Sequence, residues 1–229
     1  MEHQYSNLLE IPLSHPLPEV IFLDAFGTLF GVRGSIGEIY SEIARKYQVI
    51  CDSEVLDKYF FTAFRNSPPC VFPDVSREDM PQAEYGWWRE INRQTFTAAG
   101  VYADFTDFDV FFTELYEYFA TAAAWTIYPE TIAALTNWQR SGVTLAVLSN
   151  FDSRLYTVLK VLDLHKYFTT VTISTEVGAA KPQAEIFHAA LSKHSCLPQS
   201  CWHIGDSLED DYLGAGGVGI RAIWLNRHG

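Results

Sequence analysis

Short apolar runs alternate with amphipathic stretches over the second half of the chain, and one further apolar run lies near its beginning. The runs lie at 19–24, 144–148, 171–174, 201–204 and 220–225. Runs of this length are typical of strands buried in a parallel sheet. Helical stretches separate them from about residue 129 onwards, which predicts right-handed βαβ units. The pattern therefore predicts an α/β fold with a three-layer, Rossmann-like parallel-sheet core.

The middle of the chain has a different, mainly helical pattern. Four helices are predicted, near 35–47, 53–64, 83–99 and 105–119. Ser35 and Glu38 have the spacing of a capping box, and prolines up to Pro81 break the chain ahead of the third helix. This block interrupts the strand–helix alternation. The sequence therefore predicts an α/β core domain of residues 1–31 and 123–229, with a helical cap domain of residues 32–122 over the C-terminal edge of the sheet.

Polar side chains with complementary chemistry follow the predicted strands. Asp24 ends the first run, Ser149 follows TLAVL, Lys181 lies in GAAKP, and the cluster Asp206, Asp210 and Asp211 follows WHIG. The C-terminal edge of an open α/β sheet is where ligands bind. A carboxylate nucleophile, a hydroxyl, an ammonium and further carboxylates at that edge predict a phosphoryl- or acyl-transfer site that holds a divalent metal.

Composition and charge narrow the possible partners. The chain of 229 residues is 48% hydrophobic, enough for a substantial core, and its formal net charge of −12 argues against nucleic acid or an anionic membrane surface as partner. A phosphorylated small molecule remains compatible, because a local lysine and a metal reverse the field inside one pocket. No segment has the ~18 apolar residues of a membrane span, and the N-terminus lacks the features of a signal peptide.

The four cysteines have no CxxC spacing. They are interpreted as reduced, partly buried thiols of a cytoplasmic protein.

At these motifs the chain resembles the haloacid dehalogenase-like (HAD) hydrolase superfamily. Asp24 with Thr28 resembles the first motif, Ser149 the second, Lys181 the third, and GDSLEDD the fourth. The tryptophan pair in EYGWWREINRQTF resembles the rhythmically-expressed-protein branch of that superfamily. The resemblance spans nearly the whole chain, including the position and helical character of the cap.

The resemblance implies a role for each matching residue. Asp24 is expected to be the nucleophile, and Lys181 to neutralise charge on it and on the transferring group. Substrate binding is expected from Ser149, Asn150 and Thr28. The expected Mg²⁺ ligands are Asp24, the backbone carbonyl of Phe26, Asp206, and Asp211, which either ligates the ion or orients it.

Phe26 departs from the pattern of the superfamily's phosphatases, which carry a second aspartate there as general acid and base. Dehalogenases also lack it, and DAFGTLF is close to their first motif, whereas the fourth motif favours a metal-dependent enzyme. Three hypotheses follow: a Mg²⁺-dependent phosphatase acting on a small phosphorylated metabolite, a metal-independent 2-haloacid dehalogenase, and a catalytically weak binding protein. The first is favoured, because clustered carboxylates beside Asp24 raise its pKa unless a cation neutralises them.

Other prominent residues have ordinary structural explanations. Asp210 is interpreted as a solvated charge at a helix start, Trp87 and Trp88 as packed side chains of the cap, and His203 as a packed side chain of its strand. The run GAGGVG at 214–219 has the glycine spacing of a dinucleotide-binding motif. It follows a predicted helix and precedes a strand, whereas that motif follows a strand and opens a helix, so it is not interpreted as a dinucleotide site.

Overall fold

The computed structural model describes residues 4–13 and 16–227. Its strands, numbered along the chain, are β1 (Gln4–Tyr5), β2 (Val20–Leu23), β3 (Phe30–Val32), β4 (Trp125–Ile127), β5 (Thr144–Ser149), β6 (Thr170–Ile173), β7 (Cys201–Gly205) and β8 (Arg221–Leu225). Among the described residues, six of them form one sheet in the order β1–β8–β7–β2–β5–β6, with every neighbouring pair parallel. The predicted α/β parallel-sheet fold is confirmed.

The register of the sheet brings the ends of its central strands to one level. Leu23, the last residue of β2, pairs with Val147 of β5 and with Ile204 of β7. Strands β5 and β6 lie on one side of β2, and β7 and β8 lie on the other. The strand order therefore reverses at β2, and a reversal of this kind opens a crevice at the carboxyl ends of the strands. Asp24 lies at that point.

Helices flank the sheet and fill an inserted segment. They are α1 (Ile36–Lys46), α2 (Ser53–Asn66), α3 (Met80–Ala98), α4 (Phe108–Tyr118), α5 (Thr131–Arg140), α6 (Arg154–Val161), α7 (Ser174–Val177), α8 (Ala184–His194) and α9 (Gly214–Gly217). A π-helical turn, Leu208–Leu213, leads directly into α9. On one face of the sheet, Phe22 and Ala146 pack against Ile186, Phe187 and Ala190 of α8. Within the described ranges, none of the helices has the length and apolar character needed to cross a bilayer.

The contacts divide the chain into two compact units. The core unit contains the described residues up to Gly31, the segment Val71–Asp74, and the described residues from Ile127 onwards. The inserted unit contains Val32–Cys70 and Val75–Thr126, and therefore helices α1 to α4. Its interior is strongly aromatic, as where Tyr40 stacks on Phe96 at 5.9 Å between ring centroids.

The unit boundaries differ in two places from those read from the sequence. Residues 123–126 group with the inserted unit, because the Trp125 indole donates to the Phe119 carbonyl at 3.0 Å and packs on its ring. The segment Val71–Asp74 groups with the core unit, where Pro73 lies against Gly178. The chain passes between the units at four places, and the segments at the first and the last of these pair as the ribbon β3–β4, which is too short to give a sequence pattern.

The helix starts of the inserted unit depend on local capping. Ser35 and Glu38 form the predicted capping box of α1, and Asp52 caps α2 by accepting from two backbone N–H groups. Helix α3 begins three residues earlier than predicted, with Pro81 in its first turn. A proline is tolerated there because its missing N–H would have no partner within the helix. The predicted chain break at Pro81 is therefore wrong.

Candidate active site

Asp24 is a buried carboxylate at the end of the central strand. Its backbone N–H still follows the sheet, donating to the Ile204 carbonyl at 2.9 Å. Its side-chain Oδ1 accepts from Ser149 Oγ at 2.9 Å and from Lys181 Nζ at 2.7 Å. Burial raises the pKa of Asp24, and the Lys181 charge opposes that rise. The sheet and these two donors together fix the direction of the carboxylate.

Lys181 carries its ammonium into the interior between two carboxylates. Nζ donates to Asp24 at 2.7 Å and to Asp211 at 2.5 Å, and its side chain is 2% exposed. Burial would lower the pKa of Lys181, but the two carboxylates hold it above its usual range. Its backbone is held by Asn150, whose side chain accepts from the Lys181 N–H at 2.7 Å and donates to the Lys181 carbonyl at 2.9 Å. Asn150 thus holds the lysine in place.

Asp211 is the partner that directs Lys181. Its Oδ1 accepts from Lys181 and lies 2.7 Å from His203 Nε2, while Oδ2 accepts from the Ser207 N–H at 3.0 Å. Burial alone would raise the pKa of Asp211, but the Lys181 charge and the His203 contact keep it below its usual range. Gly205 makes room for this carboxyl group, since a Cβ there would lie 2.1 Å from its Cγ.

Asp206 lies at the open edge of the same cluster. Thr28 Oγ1 donates to its Oδ1 at 3.4 Å. Gly27, with φ of +86°, allows the close approach, because a Cβ there would lie 2.3 Å from Oδ2. Protein atoms around the carboxyl, followed by the charges of Asp24 and Asp211, raise the pKa of Asp206 to about 7. The Lys181 charge opposes this rise only in part.

The donor set fits a divalent cation that prefers oxygen ligands. One carboxylate oxygen from each of Asp24, Asp206 and Asp211 lies within 4.8 Å of the other two. Among the residues that the structure describes, one ammonium, that of Lys181, offsets these three carboxylates. A bound cation would relieve the mutual repulsion that, after burial, raises the pKa values of Asp24 and Asp206. Both oxygens of Asp211 already have partners. Asp24 and Asp206 are therefore better placed as ligands, and Asp211 as the group that orients the lysine.

Phe26, whose backbone carbonyl is another of the predicted metal ligands, lies in the loop after Asp24. Its side chain is 43% exposed. The loop folds back on itself, with the Gly27 N–H donating to the Phe30 carbonyl at 2.9 Å. The ring is therefore not part of a closed hydrophobic pocket within the core unit.

Arg227 holds a loop of the candidate active site in place, and the sequence analysis did not identify it. Its guanidinium donates to the carbonyls of Gly27 at 2.9 Å and Thr28 at 2.6 Å, and to Glu130 at 2.6 Å. It also lies 3.6 Å from the centroid of the Tyr128 ring. These contacts hold the loop that carries the Phe26 carbonyl and approaches Asp206. No sequence signal connects an arginine to a loop two hundred positions away.

Replacing Arg227 should disturb this loop without touching the reacting groups. Arg227→Met removes two charge-assisted hydrogen bonds to carbonyl groups of the loop. We expect kcat/KM to fall about tenfold or more, which corresponds to a rise of about 1.4 kcal/mol in the activation free energy. Arg227→Lys should recover only part, since an ammonium cannot bind both carbonyls and Glu130 in one plane. Steady-state kinetics and melting temperature are measured together. The control is Arg221→Met, which removes a guanidinium stacked on Trp202, and equal kinetics in the two variants would contradict the assignment.

Four other residues have contacts that bear on their interpretation. His203 is fully buried and packs edge-on against Phe187 at 5.6 Å, but it also bonds to Asp211, which the sequence interpretation missed. Its place two residues before the glycine of the fourth motif is the only signal of that role. Asp210 is half-buried at the start of the π-helical turn, and its N–H donates to Ser207 Oγ. Trp87 and Trp88 pack on each other at 4.8 Å in the inserted unit.

Comparison with known proteins agrees with the geometry. The model of the haloacid dehalogenase-like hydrolases matches residues 18–219. "Haloacid dehalogenase-like hydrolase domain-containing protein 3" of Xenopus laevis is 32% identical over 90% of this chain and 84% of its own length. The "Rhythmically expressed gene 2 protein" of Drosophila melanogaster is 30% identical over 90% of this chain and 82% of its own. The resemblance to that branch is confirmed.

Solved structures with the same fold include enzymes of two kinds. A HAD phosphatase from Thermococcus onnurineus has a TM-score of 0.62, with 24% identity over 93% of this chain and 88% of its own. An L-2-haloacid dehalogenase from Xanthobacter autotrophicus has a TM-score of 0.63, with 17% identity over 89% of this chain and 76% of its own. Both likenesses concern the fold alone. By the extent of the family match and the identity to its relatives, this chain belongs to the haloacid dehalogenase-like hydrolases.

Proposed function

We propose that the chain is a Mg²⁺-dependent phosphatase that acts on a small phosphorylated metabolite through the Asp24 carboxylate. The observation that carries the proposal is the cluster of Asp24, Asp206 and Asp211, in which one carboxylate oxygen of each residue lies within 4.8 Å of the other two and only the Lys181 ammonium offsets their charge. Displacing a halide from carbon needs no such group. Transfer of a phosphoryl group through a metal does, because the metal must be held by oxygen ligands beside the nucleophile.

The side chains of the site divide the reaction between them. Asp24 attacks phosphorus and forms an aspartyl phosphate, which water then hydrolyses. Ser149 and Lys181, which donate to Asp24 in the structure, would also donate to the phosphoryl oxygens. Asp24, Asp206 and the Phe26 carbonyl would hold Mg²⁺, which supplies positive charge to the phosphoryl group when bound. Asp211 and Asn150 keep Lys181 directed at the reacting groups.

The exposed Phe26 ring limits which leaving groups the site can expel. It stands two residues after the nucleophile, where related phosphatases have a proton-donating aspartate. An alkoxide leaving without a proton is slowed by about 10²–10⁴-fold compared with assisted departure. The proposed substrates are therefore those whose leaving group is already a weak base.

A metal-independent dehalogenase is the second candidate, and its support is the first motif, DAFGTLF. A panel of phosphorylated metabolites and 2-haloacids, assayed with Mg²⁺ and with EDTA, separates the two. We expect phosphate release that EDTA abolishes and added Mg²⁺ restores. Asp206→Asn should weaken Mg²⁺ binding in calorimetry, whereas Asp210→Asn, the matched control, should change it little. Halide release in EDTA would overturn the proposal, and tight ligand binding without turnover would favour a binding protein.

Restoring an acid at position 26 should broaden the range of leaving groups. Because the Phe26 side chain is 43% exposed, Phe26→Asp does not place a charge in a closed apolar pocket. We expect hydrolysis of an alkyl phosphate to rise by up to about 10²-fold, and hydrolysis of p-nitrophenyl phosphate to change little, since nitrophenolate departs without a proton. Rates on both substrates are compared with those of Phe26→Asn, which has the same shape but no acid. Equal effects of the two substitutions would show that position 26 is not a vacant acid position.

A further inference from the structure

Cys196 and Cys201 bring two thiols together away from the proposed hydrolytic groups. Their sulfur atoms are 2.8 Å apart, with the Cys201 thiol donating to Cys196 Sγ. This is closer than an ordinary contact between two thiols, and within about 1 Å of the ~2.05 Å length of a disulfide bond. The five-residue separation gives no CxxC signature, so the sequence analysis treated all four cysteines alike. We propose that Cys196 and Cys201 form an oxidation site that closes into an intramolecular disulfide.

The two cysteines are held in different ways. Cys201 is the first residue of β7, is paired in register with Val20, and is fully buried. Cys196 lies in the loop that follows α8, next to Ser195, which has a left-handed backbone with φ of +51°. Cys196 packs against the same apolar cluster as Cys201. The strand thus fixes the sulfur atom of Cys201, and the partly exposed loop carries that of Cys196. The short movement needed to form the S–S bond is therefore made by the loop.

Exposure sets the order in which the two sulfurs react. Cys196 is partly exposed and is therefore reached first by an oxidant from solvent. Burial, followed by the contact with Cys196, holds the pKa of the Cys201 thiol above its usual range, so this group stays protonated and unreactive alone. Its thiol donates to Cys196 Sγ, so the two sulfur atoms are already in contact when Cys196 is oxidised. The pair therefore has one attacking and one resolving cysteine.

The oxidation balances with a peroxide as oxidant. The Cys196 thiolate attacks one oxygen of hydrogen peroxide, the O–O bond breaks, and the released hydroxide takes a proton, leaving Cys196 as a sulfenic acid and one water. The sulfur of Cys201 then attacks the sulfenic sulfur, its proton leaves with the hydroxyl group as a second water, and the S–S bond forms. Two thiols and one peroxide thus give one disulfide and two waters. A thiol reductant such as glutathione reverses the bond by exchange.

The test uses the whole reduced protein and hydrogen peroxide. After brief exposure, remaining thiols are alkylated under denaturing conditions and the protein is analysed by intact mass and peptide mapping. We expect wild type to lose two of its four thiols, to become about 2 Da lighter before alkylation, to take up two alkyl groups instead of four, and to yield one cross-linked peptide joining positions 196 and 201. Dithiothreitol should return all the thiols.

Matched cysteine variants decide whether this pair is responsible. Cys51→Ser and Cys70→Ser remove thiols of the inserted unit and should leave the cross-link intact. Cys196→Ser, at a partly exposed loop position, should abolish it and need not disturb the core. Cys201→Ala should also abolish it and leave Cys196 to oxidise further, to a sulfinic acid. The proposal is overturned if wild type retains four alkylatable thiols, if the cross-link joins other positions, or if it persists in Cys196→Ser.

Discussion

Asp24→Asn should lose turnover by a factor of about 10⁴ or more while keeping the fold. The amide has nearly the shape of the carboxylate but cannot attack phosphorus, and removing a covalent nucleophile from other enzymes has effects of this order. Lys181 keeps its second partner, Asp211, so the variant does not leave an isolated buried ammonium. We therefore expect a melting temperature within a few degrees of wild type.

Two measurements make this test specific. Acid quenching during turnover should trap a phosphorylated protein in wild type and none in Asp24→Asn. Asp210→Asn makes the same chemical change on the neighbouring half-buried carboxyl group and should keep most of the activity. If Asp24→Asn retained more than about a hundredth of wild-type activity, or if Asp210→Asn were equally inactive, Asp24 would not be the nucleophile.

Lys181→Met should lower both activity and stability, for separable reasons. Removing the ammonium takes positive charge from the transition state, a change that costs other enzymes about 10²–10³-fold in kcat. It also leaves Asp24 and Asp211 as buried carboxylates without a cation, and breaking a buried pair in this way costs about 3–5 kcal/mol of unfolding free energy. The loss of stability should shrink as the pH falls, because protonated carboxyl groups no longer need a cation.

A double variant separates the two effects. Lys181→Met with Asp211→Asn removes the ammonium together with one of the carboxylates it compensates. We expect the double variant to recover part of the melting temperature of Lys181→Met but none of its activity. Recovery of activity together with stability would show that Lys181 acts only by holding the fold, and that its charge does not contribute to the reaction.

The polar side chains at the strand ends could be predicted from the sequence because their placement depends on the pattern of a few neighbouring residues. An apolar run ending in a polar residue identifies both the strand and the side chain at its end, as for Asp24 and Ser149. The capping box of Ser35 and Glu38 is local in the same sense. Family resemblance added the roles expected of Lys181 and of the fourth motif. In the structure, Asp24 contacts Ser149 and Lys181, and Lys181 contacts Asp211.

Contacts that depend on tertiary structure could not be predicted in this way. Arg227 reaches the Gly27 carbonyl from the far end of the chain, and His203 meets Asp211 only because the π-helical turn folds back over β7. Gly27 and Gly205 look like ordinary loop and strand glycines until the carboxyl groups beside them are placed. The pairing of Cys196 with Cys201 depends on the loop between them, which has no strand or helix periodicity.

The central position of β2 has a consequence for synthesis on the ribosome. Its two neighbours in the sheet are β5 and β7, which begin at Thr144 and Cys201. A nascent chain that has emerged only to residue 200 therefore presents β2 with one edge paired and the other open. By then the helices of the inserted unit have all been synthesised, and the contacts within that unit join residues of 32–70 and 75–126. Asp24, the proposed nucleophile, is thus translated before β5 and β7 and acquires its complete surroundings only after both have been made.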